Sequence, residues 1–399
     1  MNYSKIDKLL LSQVFISSEN EKVDCIVKAF DFPRLKKYLL HNKCQVLDEY
    51  LFINSFKLRL TKKQILSLSS LSQVSFIYSL SKATTLMNVA KKIFELDGLS
   101  LSGRGVNVAF IDTGIAPHPD FLLEEDRVIY FKDFVGGKEK IYDDNGHGTF
   151  VSGVCAGNGC LSGGKYCGIA PQAKIISLKA LNGKGEASAD KIIDAMQWVY
   201  NNHKQYDIKV VCMSFGSEPV GFNDPIMAGS EALWREGIVV VAAAGNSGPE
   251  FQTIKSPGVS GRIITVGGFD DNRIDSDNFD PNFFEIADFS SRGPAFQRFK
   301  PDLVAPSVDI TSCGVKGDYV KLSGTSVATP MIAGVVALLL EKEGSLSPDQ
   351  VKQKLLSCCK AITFNKNSEG FGYPVIKEIL GERKRAYNTN SKNKLFRKY

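Results

Sequence analysis

The stretch GVNVAFIDTG, Gly105 to Gly114, is apolar almost without a break until it stops at Asp112. Four more runs of the same kind follow: KIISLKAL (Lys174 to Leu181), KVVCMSFG (Lys209 to Gly216), IVVVAAAGN (Ile238 to Asn246) and IITVGG (Ile263 to Gly268). Strands that are apolar on both sides must be covered on both faces, which is the condition of parallel strands. Segments with helical spacing lie between several of them, among them Ala189 to His203 and Asp224 to Gly237. The alternation predicts an α/β fold, a mainly parallel sheet with helices on both faces. Functional groups in such sheets gather at the carboxyl ends of the strands. Asp112 and Asn246 each end an apolar run there.

Upstream the pattern is different. Residues 1–21 read as a polar leader. Val23 to Phe30 reads as a strand and Pro33 to His41 as a helix opened by proline. Cys44 to Leu60 alternates as two strands with a turn near Asp48–Glu49, Thr61 caps a second helix, and Val74 to Leu80 is a last strand. The order β-α-β-β-α-β is that of a small ferredoxin-like α+β unit, here placed at residues 22–82.

The whole chain has 399 residues, 43% hydrophobic and 23% charged, which excludes a disordered or fibrous protein. Its net charge of +6 is concentrated in a basic tail, residues 381–399, which holds seven Lys or Arg and one Glu. The remainder is formally neutral, so neither nucleic acid nor a membrane surface is an expected partner. The N-terminus makes a poor secretory signal, and the apolar run Met331 to Leu340 is about half a membrane span. Nine scattered cysteines without an export signal predict reduced thiols and a cytoplasmic location.

Only four histidines can serve as a general base near neutral pH. His41 lies in the small unit, His203 at the polar end of a helix, and His118 in a proline-rigid loop. His147 alone stands between glycines, Gly146 and Gly148, where reactants can approach the ring. Ser326, in LSGTSVATP, opens an apolar helix and so sits beside free N–H groups and the positive end of a helix dipole. Asn246 offers an amide donor for the same developing anion, and Asp112 can orient an imidazole. The chain order is Asp, His, Ser, with Asn between the last two.

Residues from about 84 to 380 resemble the subtilisin-like serine proteases, or subtilases. The matching stretches are VAFIDTGIAPHPDF, NGHGTFVSGVCAG, MSFGS, VVVAAAGNSGP, FSSRGP, KPDLVAPSVDI and SGTSVATPMIAGVVALL, in the family's order. The resemblance implies a catalytic domain over 83–380 with Ser326 as nucleophile, His147 as base and then acid, and Asp112 as orienting carboxylate. Asn246 would complete an oxyanion hole. Ser214, Phe215 and Gly216 would pair with the substrate backbone, and Ala243, Ala244 and Gly245 would wall the specificity pocket. Residues 22–82 resemble the family's inhibitory propeptide, cut from the precursor near residues 78–86. Protein or peptide substrates and the chain's own prodomain are then the expected partners, and the alternative is a catalytically silent pseudoprotease with a binding role.

The sequence departs from the family at informative places. Val327 follows the nucleophile in place of the commoner Met, and Ser307 stands for the usual Gly. Lys255 falls where the family has a small residue at the base of the pocket; it either selects an acidic side chain or points to solvent. Catalysis implies no cofactor and no metal. Asp120 matches a family calcium-ligand position, but GNGCLSGGKYCG (Gly157 to Gly168) does not look like the family's cation loop, so structural calcium has no clear motif here.

Overall fold

A computed structural model describes residues 2–6, 10–11, 14, 18, 21–51, 54–79, 99–272 and 280–381. The expectations for the basic tail, the precursor junction and most of the leader lie outside these residues. The chain divides into two units, Met1–Thr84 and Thr85–Tyr399.

In the first unit β1 (Lys22–Ala29), α1 (Phe32–His41), β2 (Gln45–Tyr50), β3 (Ser55–Thr61), α2 (Lys62–Ser69) and β4 (Val74–Ser79) follow one another. Asp31 caps α1 by accepting from the Arg34 N–H, and Thr61 and Gln64 form a reciprocal capping box on α2. The sheet order β2-β3-β1-β4, with every pair antiparallel, is the ferredoxin-like arrangement. Alternate residues of the strands, such as Cys25 and Val27, Phe56 and Leu58, pack with Leu35, Leu39, Ile65 and Leu68 of the helices. The expected turn at Asp48–Glu49 is misplaced: both lie inside β2, beside a register shift at Val46/Asp48, and the chain turns between Tyr50 and Ser55. Asn54 takes the left-handed conformation there, with φ +50°, which asparagine tolerates better than most residues. The acidic pair looked like a turn because it is polar, yet an exposed strand face also takes polar residues.

The second unit carries β5 (Asn107–Asp112), β6 (Val128–Asp133), β7 (Lys174–Lys179), β8 (Ile208–Met213), β9 (Val239–Ala243), β10 (Ile264–Asp270), β11 (Glu285–Ile286) and β12 (Leu303–Pro306). They form one sheet in the order β11-β10-β9-β8-β5-β7-β6, with β12 also on β10; only the β10–β11 pair is antiparallel. The five apolar runs are its centre. The edge strand β6 is absent from the sequence reading because its half-exposed residues break the apolar pattern.

Helices α3 (His147–Ala156) and α6 (Thr325–Lys342) pack against each other, as do α4 (Ala189–Asn202) and α5 (Pro225–Arg235). The helix α6 lies on β5, β8, β9, β10 and β12. It is long and apolar enough to cross a bilayer, but 83% of it is buried in the fold, which makes it the core helix of the unit. Burial of each large apolar side chain along it, such as Met331, Ile332 and Leu338, contributes about 1.5–3 kcal/mol. Register sets the level of the strand ends. Phe110 pairs with Cys212, and Cys212 with Val241, so two residues further on Asp112, Ser214 and Ala243 emerge side by side.

Candidate active site

Asp112 is the last residue of β5, its side chain 2% exposed. Its Oδ1 lies 2.8 Å from His147 Nδ1 and also accepts from the Thr113 N–H at 2.7 Å. An ionised carboxylate only accepts, so a neutral His147 carries its proton on Nδ1 and keeps the lone pair on Nε2. Burial alone would lower the imidazole pKa. The charge of Asp112, its hydrogen bond and the charge of Asp143 outweigh burial and raise it above the ordinary 6.5.

The imidazole is held by residues that carried no signal in the motif reading. Asp143 accepts from the N–H groups of Asn145, Gly146 and Thr149 and from the hydroxyls of Thr113 and Thr149, all between 2.7 and 3.1 Å. Burial would raise its pKa, but these bonds lower it below the usual carboxylate value. Asp143 therefore stays charged at the positive end of α3, where a carboxylate is favoured. Thr113 Oγ1 accepts from the Gly148 N–H at 2.8 Å, which ties the strand end to the helix. Lys179, opposite Asp112 on β7, is 1% exposed and donates to Thr113 O, Leu181 O and Asp144 Oδ1 within 2.9 Å. A side chain at Gly148 would place Cβ 2.2 Å from Gly114 O. The DDNG sequence before α3 is the one cue to this network, since acidic and Asn residues there suit a helix start.

Ser326 occupies the first turn of α6, so its N–H belongs to the donors that have no helical partner. Asn246 follows β9, and its Oδ1 accepts from both the N–H and the hydroxyl of Thr325, at 2.9 and 3.0 Å. Thr325 Oγ1 in turn accepts from the Gly245 N–H at 3.2 Å. With Oδ1 engaged, the orientation of the amide is set by the helix start, and Nδ2 is the end left to donate outward. A Cβ on Gly324 (φ +154°) would lie 3.2 Å from both Ser326 Oγ and Asn246 Nδ2. Hydroxyl and amide therefore flank one small space. The His147 and Ser326 helix starts both open at the carboxyl edge of the sheet, one beside β5 and the other beside β9, with β8 between.

Ser214, Phe215 and Gly216 continue β8; Ala243 ends β9, and Ala244 and Gly245 follow it. The Lys255 N–H donates to Ala244 O, while Ser217 and Ser256 exchange two backbone bonds at 2.9 Å. The segment at 255–256 thus spans both stretches. Lys255 does not point freely to solvent: its side chain is 17% exposed and its ammonium pairs with Glu218.

The subtilase-family profile matches residues 103–373, a span that holds all of these positions. The chain belongs to the subtilase family. It is 40% identical to the serine protease AprX of Bacillus subtilis over 315 residues, 72% of this chain and 70% of the relative. It is 34% identical to subtilisin DY of Bacillus licheniformis over 258 residues, covering 64% of this chain and 84% of the relative. Among solved structures it matches the S41 psychrophilic protease with a TM-score of 0.63 at 28% identity, over 73% of this chain and 99% of the other. The subtilase fold and a serine endopeptidase activity follow from this kinship.

The subtilase calcium position at Asp120 does not fit a cation in this chain. Its carboxylate accepts from the Tyr319 hydroxyl at 2.8 and 3.0 Å, from the Leu161 N–H at 3.1 Å and from Cys313 Sγ at 3.6 Å. His118 and Cys313 lie close enough to share an ion with it. However, His118 Nδ1 accepts from the Asp120 N–H and Nε2 faces Asp318 O, and the buried Arg127 guanidinium is bonded to Asp120 O. The Asp120 carboxylate is thus already met by protein donors, and a buried guanidinium lies at its backbone carbonyl.

Proposed function

We propose that this subtilase cleaves peptide bonds through an acyl-enzyme, with Ser326 as nucleophile, His147 as proton carrier and Asp112 as its orienting partner. The observation that carries the reading is the 2.8 Å contact of His147 Nδ1 with the buried Asp112, which leaves Nε2 free to take the Ser326 proton and return it to the leaving amine. The anion that forms on the carbonyl oxygen is stabilised by the Ser326 N–H and Asn246 Nδ2. Ser214–Gly216 and Ala243–Gly245 bind the substrate strand and its side chain. No cofactor takes part.

The small unit is the inhibitory prodomain of a self-inhibited precursor, removed by cleavage in the segment that joins the two units. Its ferredoxin-like topology supports this, as does the start of the family match only at residue 103. Nine free thiols, five of them buried, support a reducing compartment. A fluorophosphonate probe and mass spectrometry test the whole reading. The wild type is expected to be labelled at Ser326 and to lose its N-terminal unit. The Ser326→Ala variant is expected to stay unlabelled and full length. Equal processing of both proteins would exclude self-cleavage, and an unlabelled, inactive wild type would exclude the nucleophile.

A further inference from the structure

The side chain of Lys255 lies against both stretches, at Gly216 and at Gly245. A Cβ on Gly216 would meet Lys255 Cβ at 2.6 Å, and a Cβ on Gly245 would meet Lys255 Cγ at 2.5 Å. The stem therefore fills the space between the glycines, and the ammonium continues to Glu218. The backbone leaves little choice in this, because the Lys255 N–H is bonded to Ala244 O and the neighbouring Ser256 is stitched to Ser217 and, through its hydroxyl, to Asp224 at 2.8 Å. The two charges are unequally placed: the Lys255 side chain is 17% exposed and that of Glu218 is 81% exposed.

We propose that Lys255 floors the primary specificity pocket and selects substrates with an acidic side chain before the scissile bond, Glu218 being the carboxylate that the substrate displaces. The inference rests on the assignment of Ser214–Gly216 and Ala243–Gly245 as the pocket walls. An ammonium has three donors, and a carboxylate enclosed between the walls forms a stronger charge-assisted bond with it than the water-exposed Glu218 does. A Lys or Arg side chain in the same place meets a like charge. A large aromatic ring meets the stem that occupies its slot. The selectivity also bears on processing. Tyr78 to Lys82 contains no acidic residue, whereas Glu95 and Asp97 are the acidic residues between 80 and 98, so the precursor is cut after one of these two.

Peptides identical except for Glu, Gln, Leu, Phe or Lys before the scissile bond test the proposal on the processed enzyme and on the Lys255→Met and Glu218→Gln variants. In the wild type kcat/KM for Glu exceeds that for Gln by about tenfold or more, the scale of one charge-assisted bond. Lys255→Met brings the Glu/Gln ratio to about one, and Glu218→Gln raises it because the competing carboxylate is gone. Equal rates for Glu and Gln in the wild type, or a ratio untouched by Lys255→Met, overturn the inference, as does a precursor cut within residues 78–86. The underlying assignment fails separately: an enzyme that cuts none of the peptides and takes up no fluorophosphonate refutes the active site itself. An enzyme that is labelled and cuts the Leu peptide without favouring Glu over Gln refutes only the role of Lys255.

Discussion

Thr325→Val isolates one link in the proposed oxyanion site. Valine keeps the shape of the buried side chain but removes the hydroxyl that donates to Asn246 Oδ1 at 3.0 Å and accepts from the Gly245 N–H at 3.2 Å. The Asn246 carbonyl then keeps one of its two anchors, the Thr325 N–H at 2.9 Å. Each such bond contributes about 1 kcal/mol net, while the orphaned buried N–H of Gly245 costs about 1–3 kcal/mol. Loss of an oxyanion donor outright costs about 10²–10³-fold in kcat; loosening it by one bond is expected to cost about tenfold. The decisive assay is a double-mutant cycle on kcat with Asn246→Ala. Because Thr325 acts through the amide, Thr325→Val in the Asn246→Ala background should lower kcat little further, although the stability loss persists. A tenfold loss in both backgrounds, or an unchanged kcat in the single variant, would refute the argument that the helix start orients Asn246.

The remaining predictions address other parts of the site. The acid limb of kcat/KM should fall at a pH above 6.5, since Asp112 and Asp143 raise the His147 pKa; the same shift stabilises the fold fully below 6.5 and is lost as pH rises through the folded value. Asp112→Asn should move that limb downward and lower kcat, measured on a peptide substrate across pH. Gly148→Ala drives a methyl group against Gly114 O, so a loss of about 3 kcal/mol and a fall in Tm of several degrees are expected by thermal unfolding. At Asp120, Tm should be the same in millimolar calcium and in chelator, while Tyr319→Phe should cost about 1–2 kcal/mol by loss of a bond to a charged acceptor. A calcium-dependent Tm would show that the local donors give way to the ion.

What could be read from the chain alone was local or periodic. The apolar runs predicted the central parallel strands, Pro33 and the capping residue Thr61 marked the helix starts of the small unit, and Asp112, His147, Asn246 and Ser326 stood at strand ends and helix starts where chemistry collects. Each is a property of a few adjacent residues, so sequence suffices. Tertiary structure decided the rest because it depends on packing between distant segments. The half-exposed edge strand at Val128–Asp133 exists only because β7 is there to pair with it. The grip of Asp143 and Lys179 on the His147 helix joins strand ends and loops that no spacing rule connects. Asp120 keeps a family carboxylate, and the hydroxyl that donates to it comes from Tyr319, 199 residues away. Lys255 carried two opposite readings in the sequence; its place against the glycines at 216 and 245 and its ion pair with Glu218 are contacts between distant segments that only the fold supplies.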